Sequence, residues 1–216
     1  MKTSEKPILF STEMVRAILE DRKTKTRRVV KPQPDHRHRE IEFENGILKE
    51  YSRISGCWNV ARETKCPYGE PGTILWVRET WADLRGMGFG NNPETDKPWN
   101  FAFKADIKPG SDSDRARIDY GVKWRPSIHM PRVAARLFLK VKSVRVERLQ
   151  DLSEADALAE GVKAYGPNNC SGTSARIAFA ELWDSLNEKR GFGWEVNYWV
   201  WIVEFERLAD YEGAVS

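Results

Sequence analysis

Apolar positions along this chain fall into short runs separated by turn-forming residues, and the spacing within each run predicts its element. Lys6 to Phe10 (KPILF) reads as a strand. Behind it Ser11 or Thr12 is a natural N-cap, and Glu13 suits the positive first turn of a helix. Met14 with Ile18, and Val15 with Leu19, pair at i, i+4, so Thr12 to Asp21 is predicted as a short amphipathic helix. Thr26 to Val30 is β-branched enough for a strand, closed by Pro32 and Pro34. Thr73 to Thr80 (TILWVRET) alternates, with Ile74, Trp76 and Arg78 on one face and Leu75, Val77 and Glu79 on the other. Asn100 to Ala105 is a further strand. Ala134 to Leu149 alternates through Leu137, Leu139, Val141, Val144 and Val146, giving one long bent strand or two. Asp151 to Glu160 is predicted helical, with Ser153 as N-cap, Asp156 in the capping position and Gly161 as the stop. Ala175 to Lys189 is a second helix, with Ile177, Leu182 and Leu186 turned to the core. Tyr198 to Leu208 is the most apolar strand, and a central one should be buried on both faces over Trp201 to Phe205.

Two stretches carry no clear period. Residues 35–69 are polar, with one hairpin expected about Asn45-Gly46. Residues 85–121 begin rich in Gly, Asn and Pro and continue from Pro109 to Gly121 as polar loop. The pattern therefore predicts an α+β chain forming one domain over residues 1–216. Its expected form is a mixed β-barrel with short helices at its ends and two long loop insertions.

Composition narrows the setting. Apolar residues make up 40% of 216, mean hydropathy is −0.61, and no apolar run approaches the roughly 20 residues of a membrane span. Nine Trp, nine Phe and six Tyr are too many core-type side chains for a disordered chain. Three cysteines at irregular spacing speak against a disulfide framework, and Met1 to Pro7 has no apolar leader segment, so a cytoplasmic location without membrane contact is expected. Cys57 and Cys66, with His36, His38 or His129, fit no standard ligand spacing, so no metal is expected.

Net charge is +3, yet the charges are segregated. Residues 22–39 hold eight bases against the single acid Asp35, and residues 123–148 hold eight against Glu147. Residues 150–216 hold twelve acids against five bases. Two basic segments either converge on one anion-attracting surface, as a nucleic acid requires, or form a solvated, salt-bridged face. The densest stretch is Arg22-Lys23-Thr24-Lys25-Thr26-Arg27-Arg28. A lysine among four other cations loses its proton more readily than a free one, and a threonine three residues on is a hydroxyl nucleophile in want of a base; by composition alone the stretch is a basic turn that touches phosphate or solvent.

The run from Ile18 to Arg28 (ILEDRKTKTRR) resembles the N-terminal signature of the ASCH family, a PUA-like, RNA-associated fold. Gly72 to Val77 is similar to that family's strand after its G-D turn, with Thr73 where an acid is usual. Leu152 to Val162 resembles its helix ending in A-x-x-E-G, and Trp201 to Phe205 its last strand. With Cys66 to Gly69 and Trp124 to Arg132, the whole looks closest to ASCH proteins encoded by phages and prophages. In the small members that hydrolyse N4-acetylcytidine, a lysine accepts a proton, a threonine attacks and a glutamate donates a proton. The resemblance carries these roles to Lys23, Thr26 and Glu160, with no cofactor, and expects a PUA-like barrel. Arg28, Arg22, Trp76 and Trp124 are the substrate-binding candidates, two as anion or oxyanion partners and two as stacking platforms. The implied partner is RNA or a modified nucleoside. An amidohydrolase, a non-catalytic RNA-binding module and a ribonuclease all use this residue set.

Overall fold

The computed structural model describes residues 4–34, 40–44, 46–54, 57–88, 100–163, 174–209 and 211. Its main sheet has five strands: β1 (Glu5–Leu9), β2 (Lys25–Val29), β6 (Ile74–Arg78), β9 (Phe138–Arg148) and β10 (Trp199–Leu208). They lie in the order β1-β6-β9-β10-β2, with β1 and β6 parallel and every other pair antiparallel. β10 is the deepest strand. Trp201, Val203 and Phe205 face one core with Ile8, Leu75 and Leu139, while Val200 and Ile202 face a second with Leu149, Phe179 and Trp183. A bulge between Glu204 and Phe205 bends β9 against it, so the long bent strand is single.

Among the described residues the strand ladder does not close. β1 and β2 are the two free edges, joined in sequence by α1 (Thr12–Leu19). The Arg28 Nη2 on β2 donates to the Leu9 carbonyl on β1 at 2.6 Å, so side chain rather than backbone spans the gap. The architecture is mixed α+β, with sheets dominant and helices short.

Local rules account for the elements around that gap. The Ser11 hydroxyl accepts from the Met14 N–H at 3.3 Å and starts α1, which buries Val15 and Ile18. Ser153 does the same for α3 (Glu154–Ala159) through the Asp156 N–H at 3.1 Å. α3 ends at Gly161, whose φ of +90° is left-handed. A Cβ at Gly161 would lie 2.8 Å from the Ala17 Cβ, so the glycine also lets α3 approach α1.

Three expectations are corrected. Residues 40–65 form a three-stranded sheet of β3 (Glu40–Glu44), β4 (Ile47–Ile54) and β5 (Cys57–Lys65) rather than one hairpin. β3 and β4 do turn about Gly46, while Asn45 lies outside the described residues. Leu48 of β4 sits fully buried in the main core and Phe43 packs edge-on against Trp201, so this stretch is part of the core. In the polar stretch from Pro109 to Gly121, Ser111 caps an eight-residue helix, α2 (Asp112–Asp119), that buries no side chain. In α4 (Ala175–Asn187) the buried stripe is Ala175, Phe179 and Trp183, whereas Ile177 and Leu186 are exposed. The remaining strands, β7 (Trp81–Asp83) and β8 (Phe101–Phe103), pair with each other; the expected loop at 89–99 lies outside the described residues.

Candidate functional site

The turn after α1 delivers Lys23. Its N–H bonds back to the Ala17 carbonyl at 3.0 Å, and its backbone makes an isolated bridge to Glu160 at the end of α3. The Lys23 side chain then runs inward with no exposed surface. Its Nζ donates to Glu160 Oε2 at 2.8 Å, to the Glu160 carbonyl at 2.9 Å and to the Lys25 carbonyl at 2.8 Å. An ammonium has three N–H donors, so all three are engaged. The second Glu160 oxygen, Oε1, accepts from Arg27 Nη1 at 3.2 Å, and that guanidinium is also wholly buried. Arg27 Nη2 lies 3.5 Å from Asp156, which in turn accepts from Lys25 at 2.7 Å.

Burial pushes the Lys23 ammonium below the ordinary lysine range because the charged form loses its water. Glu160 offsets part of that shift, and the Arg28 and Arg27 charges add to it. The sequence-level argument from neighbouring cations therefore holds in direction, with desolvation the larger cause.

β2 aligns the other residues by register. Thr26 pairs with Val203 and Arg28 with Trp201 on one face of the sheet, and Arg27 pairs with Ile202 on the other. β2 is an edge strand, so residues from both faces border one opening. A cavity of about 490 Å³ lies there, lined by Thr26, Arg27, Arg28 and Glu160 from the motif segments, with Trp201 among its walls. The volume is within the range that takes a nucleoside-sized ligand. The Thr26 hydroxyl makes no hydrogen bond among the described residues, although the residue is only 1% exposed. Thr26 and Glu160 line the same cavity.

Of the binding candidates only Arg28 lines this cavity. Arg22 lies beside it, with Nη1 on the Gly161 carbonyl at 2.6 Å and Nη2 on Glu20, and so braces the turn that holds Lys23. Trp76 is on β6 under the Arg78 guanidinium, and Trp124 stacks with Arg117; neither borders the opening. The aromatic walls are instead Tyr68, Phe179, Trp183, Phe192 and Trp201. Tyr68 belongs to the Cys66 to Gly69 segment, so a signal for it existed. Leu182 and Leu186, expected in the core, also line the cavity, which explains apolar side chains on an outward helix face.

The second basic segment does not join this surface as a block. Arg132 pairs with Glu5 at 2.8 Å, Arg136 with Glu79 and Asp106, and Arg145 with Glu147. Cys57 is an exposed thiol, and burial raises the Cys66 thiol to about 11, which keeps it protonated and inert. His129 is exposed, and His36 and His38 lie outside the described residues. Comparison of the chain with protein-family models, with curated proteins and with solved structures gives no match.

Proposed function

We propose that the chain is an ASCH-type protein with a PUA-like barrel that acts on RNA or a modified nucleoside, most concretely by hydrolysing the N4-acyl amide of acetylcytidine. The observation that carries this reading is the buried Lys23–Glu160 contact of 2.8 Å, beside a cavity that Glu160 and Thr26 both line. The near approach of the β1 and β2 edges across Arg28 is what favours a barrel-like form.

The Lys23–Glu160 bond supplies both protonation states that the reaction needs. Moving one proton from Nζ to Oε2 leaves an amine and a carboxylic acid with no change in total charge, and the desolvation that lowers Lys23 eases the loss of that proton. The Thr26 Oγ then attacks the acetyl carbonyl carbon as its proton passes to Lys23. When the tetrahedral intermediate collapses, the C–N4 bond breaks and the Glu160 proton goes to N4, releasing cytidine. Water hydrolyses the threonine ester to acetate.

A second reading, a non-catalytic RNA-binding module, is favoured by one specific feature. All three Lys23 hydrogens are held at rest, so the pair also serves simply as a buried ionic brace. Incubation of the purified protein with N4-acetylcytidine, followed by mass spectrometry for cytidine and acetate, separates the two. Release by the wild type but not by Thr26→Val is the expected result. No release at any pH leaves the binding module or ribonuclease.

A further inference from the structure

The cavity carries more positive charge than chemistry at Thr26 uses. Arg28, Lys31, Lys65, Arg78 and Arg190 all line it, and among the described residues none of the five has a carboxylate partner. Elsewhere on this molecule exposed and half-buried arginines are regularly paired, as Arg85 is with Asp83, Arg117 with Asp114 and Arg207 with Asp21. Among the described residues the single acidic residue in the lining is Glu160, and Lys23 and Arg27 already hold both of its oxygens. Unpaired cations gathered in a walled cleft focus a field that draws an anion in.

The cations are grouped. Arg28 engages only Nη2, on the Leu9 carbonyl, and Leu9 is the register partner of Arg78. The Nε atoms of Arg28 and Arg78 are both buried with no hydrogen-bond partner, an unfavourable state that a bound anion compensates electrostatically. On the other side Lys31 lies 4.5 Å from the Phe192 ring centre, close in sequence to Arg190. Tyr68 lines the same cavity. Burial raises its phenol, and the nearby charges of Arg28 and Arg190 pull it back down. The Tyr68 hydroxyl has no hydrogen bond among the described residues, so it is a spare neutral donor in a ring of cations.

We infer that the wall formed by Arg28, Tyr68 and Arg190 seats a phosphate group, so that the ligand of this cavity is a nucleotide rather than a free nucleoside. This rests on the reading that a nucleoside enters at Thr26, and it adds the chemical class of what is attached to it. The Arg190 guanidinium, the remaining N–H of Arg28 and the Tyr68 phenol match several oxygens of a phosphate ester, which a neutral nucleoside would leave unanswered. The aromatic walls at Phe179 and Trp183 leave the base an apolar face to lie on. A mononucleotide and a phosphodiester within an RNA strand offer the same group.

Isothermal titration at low salt tests this with cytidine, its 5′- and 3′-monophosphates and a short cytidine-rich RNA, with inorganic phosphate as competitor. A monophosphate should bind about tenfold or more tightly than cytidine, an advantage typical of charge-assisted hydrogen bonds. That ratio should shrink in Arg28→Gln and in Arg190→Gln, and more mildly in Tyr68→Phe, each checked for an unchanged melting profile. Arg190 is exposed, so its variant keeps the fold if Arg28→Gln does not. An arginine-dependent gain for the RNA alone assigns the phosphate to a strand, and a gain for the monophosphate assigns it to a mononucleotide. Equal binding of cytidine and its phosphates, or a ratio that survives both arginine variants, overturns the inference. N4-acetylcytidine turnover, assayed on the same preparations, separates the two questions. Turnover without a phosphate preference sinks only the subsite, and a phosphate preference without turnover sinks only the hydrolase.

Discussion

Thr26 is the residue at which a catalytic role and a structural one can be told apart most cleanly. Its hydroxyl has no partner among the described residues, so Thr26→Val removes one oxygen from a buried site without orphaning anything. That variant should keep its melting temperature within a few degrees and lose acetylcytidine hydrolysis, read by acetate release. Lys23→Met is a harsher change. It removes the base and leaves Glu160 facing Arg27 alone, so activity and about 3–5 kcal/mol of stability should fall together. Lys23→Arg should also be inactive, because a guanidinium does not accept a proton near neutrality. Glu160→Gln should cost on the order of 10² in rate if proton donation to N4 is needed. The pH profile follows from the pair. The active form holds one proton between Lys23 and Glu160, so the rate should fall on the alkaline side, where that proton is lost. Because burial lowers Lys23, the alkaline limb should lie below the ordinary lysine value of 10.5. A rate still climbing through that value would remove Lys23 from the mechanism. The pairing of Lys23 with Glu160 is legible in the sequence only through motif resemblance. Composition gives a basic turn, and nothing local joins residue 23 to residue 160.

At the scale of elements, α3 holds the carboxylate where α1 and β2 can use it, and Gly161 sets that distance. A methyl there meets the Ala17 Cβ at 2.8 Å and the Lys23 Cβ at 3.0 Å, on a backbone with φ of +90°. Gly161→Ala should therefore destabilise by about 1–2 kcal/mol or more from the left-handed backbone alone. It should also push α3 away from Lys23, so the acetylcytidine rate should drop further than denaturant melts would suggest. A melt shift with full activity would mean the spacing tolerates more than the contacts imply. The capped helices α1 and α3 were readable because each couples a Ser N-cap to a short, strong pattern. α2 was missed because none of its side chains is buried, so no apolar period marks it. α4 was read on the wrong face. Its aromatic stripe of Phe179 and Trp183 takes the core, with the Trp183 indole N–H donating to the Phe192 carbonyl at 2.7 Å. Leucines 182 and 186 are left to the cavity, a placement fixed by a neighbouring strand edge that the helix sequence does not contain.

At the scale of the molecule, the arrangement of strands decides what the polar stretch from 40 to 65 is for. The sequence shows charged, weakly periodic strands, because β3 and β5 keep most of their side chains in water. Closeness to the main sheet comes through few residues: Leu48, fully buried, the Phe43 ring 5.9 Å from Trp201, and Arg62, which holds the buried Glu50 and donates to the Gln33 carbonyl at 2.7 Å. Long-range packing of that kind leaves little trace in local pattern, as does the open gap between β1 and β2 that creates the cavity. The same three-stranded sheet ends at Lys65, Pro67 and Tyr68, which form one wall of the site. If it shares the main core, it should unfold with it. Leu48→Ala should then cost about 2–5 kcal/mol of global stability, the usual loss for a fully buried leucine. The melting curves followed by far-ultraviolet circular dichroism and by tryptophan fluorescence should move down together and remain superimposable. An unchanged main transition, or a separate early step in Leu48→Ala, would instead make residues 40–65 an appendage that can melt while the β10 core stands. In that event the wall carrying Tyr68 would be a movable one, and ligand affinity would fall with temperature well below the main transition.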